Sequence, residues 1–339
     1  MTLRLPHALA ALVSLVLVAS PSPAATLKIA TVVPDGTSWM KEMRAGAKQI
    51  AERTQGRVKL KFYPGGVMGT EKSVMRKIRA GQLQGGAFTS TGLADVYRET
   101  EIYGLPLLFH SYDEVDYVRA RMDQSIREGL ERAGLIALAI SETGFAYLLS
   151  NKPLRSVDDL SGARVWVLEG DRLSQTALKI AGVSPVPLAL ADVYTGLQTG
   201  LIDTVAASPV ACIAFQWHTK VRYMTDVPLM YLAGVLAIDA RAFGKLDEAD
   251  QAVVRDVIGA AAGRLDEMNR VSDASAKLAL KTQGIEFVTS SAEELERWRG
   301  IAEAALSRVR AEGLYSDRMI ETLLGHLATY RARSQTASE

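Results

Sequence analysis

The most restrictive feature of this 339-residue chain is residues 246–283, where apolar residues recur at helical spacing and no proline occurs. Val253, Val257, Leu265 and Met268 illustrate the spacing. At ~1.5 Å per residue, one helix over this stretch would reach about 55 Å, which is longer than one lobe of a protein this size. We therefore predict a helix that crosses two lobes.

Before this stretch, strands and helices alternate twice along the chain. The first alternation has the order strand, helix, strand, helix, strand, over residues 26–33, 37–54, 58–62, 71–80 and 86–90. A proline-containing break at residues 151–153 precedes the second alternation, and the apolar residues 233–238 form a strand that can return to the first lobe. Such alternation predicts an α/β fold with helices on both faces of a sheet.

These patterns divide the chain into two lobes, each assembled from separate segments. We predict that lobe I contains residues 25–149 together with 233–270, and that lobe II contains residues 150–232 together with 271–333. Hinges are expected where the chain passes from one lobe to the other. The Ser- and Thr-containing residues 334–339 are predicted to form a disordered tail.

The first residues of the chain have the order of a secretory signal. Arg4 precedes the apolar residues 8–19, and two prolines then precede Ala24. The apolar run is too short for a membrane span, which needs about 20 residues. We predict a signal peptide over residues 1–24, cleavage after Ala24, and an exported mature chain.

Charge and cysteine content narrow the possible partners. The chain has 39 basic and 38 acidic residues, and the predicted signal contains one of the basic residues, Arg4, and no acid. The mature charge is then near zero, which gives no electrostatic reason to expect nucleic acid or a membrane surface as a partner. Cys212 is the only cysteine, so it forms no internal disulfide and is interpreted as a small buried apolar residue.

The residue types that carry catalysis do not occur in recognisable patterns. His7, His110, His218 and His326 lie far apart, without the short spacing of metal ligands, and no G-x-S-x-G motif is present. We therefore predict no metal, no cofactor and no enzymatic activity. Two α/β lobes without a catalytic constellation favour a protein that binds a small molecule in the cleft between them.

Several segments resemble one protein family in the family's order and spacing. They are residues 62–71, 78–83, 105–109, 150–153 with 158–165, and 192–203. They include a Pro-Gly-Gly turn, the sequence LPLLF and the sequence DVYTGLQTGLID. The chain resembles the extracytoplasmic substrate-binding proteins of TRAP transporters, the DctP family.

This resemblance implies a two-lobe, periplasmic-binding-protein-like α/β fold with a long helix that spans both lobes. It also implies a periplasmic location. The implied partners are a small organic ligand and the small and large membrane subunits of a TRAP permease, and we expect a monomer.

The departures from the family pattern concern the ligand. Family members that bind organic acids carry an arginine in the pattern Gly-x-Lys-Ile-Arg, and Trp166 stands at that position here. Ala146 stands where some sialic-acid-type members have a second arginine, and Ala207 lies near a family asparagine. A guanidinium forms two hydrogen bonds with a carboxylate, whereas an indole offers one N–H donor and an apolar face. The resemblance therefore implies a ligand with substantial apolar or aromatic surface.

The predicted ligand-binding residues combine these positions with aromatic and polar neighbours. They are Trp39, Ser90, Glu142, Phe145, Ala146, Arg164, Trp166, Glu169, Ala207, Ser208, Phe215 and Trp217. Packing in the hydrophobic core is the alternative role for the tryptophans and Phe215. Arg164 would point away from the cleft if neighbouring strand residues alternate faces. The acidic members, and Asp171, could supply hydrogen bonds or hold a cationic group.

The sequence thus favours a receptor that captures a small organic molecule and delivers it to a TRAP-type permease. A ligand-binding partner of a membrane sensor is the alternative. Permease subunits encoded beside this gene would favour transport.

Overall fold

The structure, a computed structural model, describes residues 24–336. The predicted signal peptide, apart from Ala24, lies outside the described residues, as do residues 337–339 of the predicted tail. Residues 334–336 of that tail continue the last helix, because no glycine or proline ends it there. No helix among the described residues is both long and apolar enough to cross a membrane.

Strands and helices alternate along the described chain. The first part contains β1 (Ala25–Thr31), α1 (Ser38–Arg53), β2 (Val58–Tyr63), α2 (Glu71–Arg79), β3 (Gly85–Thr89), α3 (Tyr112–Arg132) and β4 (Leu135–Ser150). The middle part contains β5 (Trp166–Leu168), α4 (Arg172–Ile180), β6 (Val186–Leu188), α5 (Val193–Thr199), β7 (Thr204–Ala207) and α6 (Pro209–Ala214). The last part contains β8 (Tyr223–Asp239), α7 (Ala240–Phe243), α8 (Glu248–Thr282), β9 (Glu286–Val288), α9 (Ala292–Ala311) and α10 (Asp317–Thr336).

Seven strands within residues 24–336 form one mixed sheet. Their order is β2-β1-β3-β8-β4-β7, and β9 pairs with β8. Strands β4 and β8 have 16 and 17 residues and form the longest antiparallel pair of the described sheet. Leu135 pairs with Asp239 at one end, and Ser150 pairs with Tyr223 at the other. The two long strands therefore join the part of the sheet that contains β3 to the part that contains β7 and β9.

Helix α8 corresponds to the long helix predicted from the apolar spacing. It has 35 residues, which gives a length of about 52 Å. It contacts α1, β4 and α6, and its buried residues extend from Asp250 to Leu280. A single helix thus packs along most of the molecule, as its length requires.

Serine side chains fix the starts of two other helices. Ser111 accepts a hydrogen bond from the backbone N–H of Glu114 at the start of α3, and Ser291 accepts one from Glu294 at the start of α9. The Ser-x-x-Glu spacing at both places is the capping-box pattern, which satisfies backbone donors that the first helical turn leaves unpaired.

A buried ion pair joins the middle of α8 to a bulge in β4. The Glu142 side chain is 0% exposed, and its Oε1 lies 2.7 Å from Arg270 Nε. Tyr231 also donates to this carboxylate, with 3.3 Å between the oxygen atoms. The Glu142 backbone N–H donates to Asp266 of α8 at 2.9 Å. Because the β4–β8 register shifts between Glu142 and Gly144, these contacts hold β4 where it passes between the two ends of the sheet.

Replacing Arg270 by Gln should lower the free energy of unfolding by about 3 kcal/mol, because it leaves the buried Glu142 carboxylate without its cation. The matched control is Arg264→Gln on the same helix, where the pair with Glu42 is half exposed and a loss of at most about 1 kcal/mol is expected. Urea unfolding followed by circular dichroism measures both. Equal losses in the two variants would contradict the role given to Glu142.

Candidate ligand-binding cavity

A cavity of about 250 Å³ lies beside the long strands β4 and β8. Its lining comes from distant parts of the chain: the β3–α3 connection, strands β5, β7 and β8, helices α4, α6 and α9, and the α9–α10 connection. Most of the lining side chains are apolar. An apolar cavity with a few polar groups is the usual form of a small-molecule site.

Three aromatic residues form one side of this cavity and are called the aromatic wall: Trp166, Phe215 and Trp217. Phe215 and Trp217 are stacked, with 5.4 Å between ring centroids and 28° between ring planes. Trp166 meets Trp217 edge to face at 5.5 Å. The indole N–H of Trp166 donates to the backbone oxygen of Leu188 at 3.1 Å. Its hydrogen-bond donor is therefore already used, so Trp166 offers a ligand its apolar ring.

Two carboxylic acids, Glu101 and Asp171, also line the cavity and are called the carboxyl pair. Glu101 is 6% exposed, and burial together with the nearby Asp171 raises the pKa of its carboxyl to about 7. Burial also raises the pKa of Asp171, although Asp171 caps α4 by accepting from the N–H of Ser174 at 2.8 Å. The charged form of the buried Glu101 is therefore poorly solvated, and that of the partly exposed Asp171 less so.

The described lining contains no Lys, Arg or His side chain. One cation, Arg98, reaches the carboxyl pair without lining the cavity: its Nη1 lies 3.3 Å from Glu101 Oε2. Arg98 also contacts Asp95 at 3.7 Å and donates to the backbone oxygen of Gly170. Its charge is therefore shared among several acceptors and compensates the carboxyl pair only in part.

Five of the predicted ligand-binding residues line this one cavity: Ser90, Trp166, Ala207, Phe215 and Trp217. Ser90 comes from the end of β3, and its hydroxyl donates to the backbone oxygen of Ala233 at 2.8 Å. The fold thus brings together residues that are as far apart in sequence as 90 and 217.

Four other predicted residues lie in buried packing or ion pairs outside the lining. Trp39 is partly buried and packs edge to face on Phe62 at 6.2 Å, against the core between the sheet and α8. Glu142 is held by the ion pair with α8 described above. Phe145 is buried against tyrosine rings of α3 and β8, and Ala146 is fully buried in β4.

The remaining three predicted residues also lie outside this lining. Arg164 is 55% exposed and pairs with Asp203 at 3.1 Å. Ser208 is buried and caps α6 by accepting from Ala211 N–H. Glu169 lines a separate, smaller cavity of about 30 Å³ and lies 4.0 Å from Lys72. Ligand contact by these residues stays a prediction.

Sequence reasoning did not find Glu101 and Tyr315, which both line the cavity. The Tyr315 hydroxyl donates to Glu101 Oε2 at 3.4 Å, although 214 residues separate them. No local pattern marks either residue. Glu101 ends the charged stretch RETE, directly before the uncharged segment IYGLPLLF, and neither stretch has a periodicity that marks a ligand-binding acid.

Comparison with known proteins places the chain in a family. A model of bacterial extracellular solute-binding proteins, family 7 (DctP), matches residues 29–312. The C4-dicarboxylate-binding periplasmic protein DctP of Rhodobacter capsulatus is 23% identical over 262 residues, which cover 75% of this chain and 77% of that protein. YiiZ of Salmonella typhimurium is 25% identical over 218 residues, which cover 63% of this chain and 66% of YiiZ. This chain thus spans slightly less than two thirds of YiiZ.

A solved structure has the same architecture. It is the sugar acid binding protein DctPAm from Advenella mimigardefordensis in complex with galactonate. It superimposes with a TM-score of 0.85 at 18% identity and covers 91% of this chain and 99% of the other. This similarity confirms the predicted two-lobe α/β fold with a long helix. The family model matches more than half of this chain. The chain therefore belongs to the DctP family of bacterial extracellular solute-binding proteins, family 7.

Proposed function

We propose that this protein is an exported receptor that encloses a small organic molecule with substantial apolar or aromatic surface and delivers it to a TRAP-type membrane permease. Membership of a solute-binding family supports the receptor role. The signal-like residues 1–24 support export to the periplasm. The proposed partners in the membrane are the small and large permease subunits.

One observation carries the proposed ligand class: the described lining combines an aromatic wall with no basic side chain. The Rhodobacter relative is named for C4-dicarboxylates, and the Advenella protein holds galactonate. Both of these ligands are acids. A carboxylate buried here would have no cation in the lining to pair with, which costs several kcal/mol.

Apolar contact can supply the affinity that a carboxylate pair would otherwise give. A ligand that buries roughly 200 Å² of aromatic surface gains about 5 kcal/mol before the entropy of association is subtracted. The aromatic wall offers ring faces for such contact. Ser90 and Thr91 in the lining can add hydrogen bonds that orient the ligand.

A neutral aromatic probe, N-phenyl-1-naphthylamine, should bind the mature chain and gain fluorescence in the cavity. Ala177 lines the cavity on α4, so Ala177→Phe should fill part of the space and weaken binding about tenfold or more. Ala45→Phe, at an exposed position of α1, is the control and should bind like the parent. Unchanged affinity in Ala177→Phe, or equal weakening in both variants, would exclude this cavity as the site.

Succinate and galactonate should leave the melting temperature unchanged at millimolar concentration, because a ligand that does not bind the folded state does not stabilise it. Thermal unfolding by differential scanning fluorimetry measures this, with sodium chloride at the same ionic strength as control. A saturable rise in melting temperature with either acid would show that the cavity does accept a carboxylate.

A further inference from the structure

We infer that the ligand carries a protonated amine, which the carboxyl pair Glu101 and Asp171 holds while the apolar body of the ligand lies against the aromatic wall. This inference rests on the proposed function, since it concerns the same cavity. It narrows the ligand class from an apolar or aromatic molecule to an apolar or aromatic amine.

The charges around the carboxyl pair do not balance without a ligand. Glu101 and Asp171 both line the cavity, and its described lining has no cation. Arg98 is the one basic residue that contacts either of them among the described ion pairs, and it also contacts Asp95 at 3.7 Å. With both acids ionised, one guanidinium serves the buried Glu101 carboxylate and the partly exposed Asp171 carboxylate, which leaves one negative charge without a cation. A bound ammonium would compensate it.

Glu101 retains capacity to accept a hydrogen bond from a ligand. An ionised carboxylate has about four acceptor positions. Three donors approach Glu101: Arg98, Tyr315 at 3.4 Å, and Thr91. An ammonium group has three hydrogen-bond donors and no acceptor. It therefore suits this lining, in which both charged side chains, Glu101 and Asp171, are hydrogen-bond acceptors.

The raised pKa values agree with this geometry. Burial, followed by the repulsion from Asp171, raises the pKa of Glu101 to about 7, and burial raises that of Asp171. An adjacent cation would lower both again. A carboxylate ligand would add a third negative charge at the same place and raise them further.

Three indoles of nearly equal shape test the inference: tryptamine, the neutral alcohol tryptophol, and indole-3-propionate. Isothermal titration of the mature chain should give tryptamine the highest affinity, about tenfold or more above tryptophol, with the acid weakest. Glu101→Gln should remove most of the preference for the amine and leave tryptophol binding within about twofold. The control Asp95→Asn makes the same charge change beside Arg98, at an exposed side chain that does not line this cavity, and should keep the preference.

The dependence on pH gives a second readout. Between about pH 6 and pH 8, an amine with an ordinary pKa near 10 stays protonated, while Glu101 loses its proton in the setting of Arg98, Asp171 and Tyr315. Tryptamine affinity should therefore rise with pH in the parent and not in Glu101→Gln. Tryptophol affinity should stay level or fall.

The possible outcomes separate the inference from the proposed function. If N-phenyl-1-naphthylamine binds but tryptophol or indole-3-propionate matches tryptamine, the amine inference is wrong and the apolar receptor stands. If Glu101→Gln keeps the full preference for tryptamine, the carboxyl pair does not hold the amine. If neither N-phenyl-1-naphthylamine nor any of the indoles binds, the proposed function itself is wrong.

Discussion

A buried carboxylate needs a cation or a proton close by, and this requirement governs what the cavity can accept. Glu101 and Asp171 line a mostly apolar space, and among residues 24–336 the one guanidinium in an ion pair with them, that of Arg98, is shared with other acceptors. An acid would add negative charge without a partner. An apolar amine would supply the cation to the carboxyl pair and a hydrophobic body to the aromatic wall.

The fold determines how these groups meet. Glu101 comes from the connection before α3, whereas Asp171 begins α4 after β5, and the long pair β4 and β8 joins the two regions. Tyr231 links this framework to the cavity: it is one of the lining residues, and its hydroxyl contacts Glu142 and Arg119 at 3.3 and 3.0 Å. The buried charges that hold β4 to α8 therefore also position one side of the cavity.

Local patterns in the sequence were sufficient to predict much of the fold. Uninterrupted helical spacing over residues 246–283 led to α8, which spans Glu248–Thr282. Strand pairing between residues far apart in sequence could not be predicted from such local patterns. The β4–β8 register shifts at three places, including Glu142/Gly144 and Ala146/Leu148, and each shift changes which side chains face a given side of the sheet. A two-residue alternation counted along residues 142–146 therefore could not identify the residues that line the cavity.

The difference between local patterns and long-range contacts also decides which residues of the cavity could be predicted. Trp166 was recognised because it stands in a local motif, and it does line the cavity. Glu101 and Tyr315 are brought together only by the docking of the α9–α10 connection onto the β3–α3 connection. This long-range contact leaves no signal in either segment. Of the two acids in the carboxyl pair, sequence reasoning therefore named Asp171 as able to hold a cationic group but missed Glu101.

The most direct measurement is native mass spectrometry of the protein secreted by its own cells, followed by high-resolution mass analysis of any small molecule that it releases. The account predicts a nitrogen-containing molecule with an apolar or aromatic body and no carboxyl group. Release of a sugar acid or a dicarboxylate, in one-to-one ratio with the protein, would contradict it.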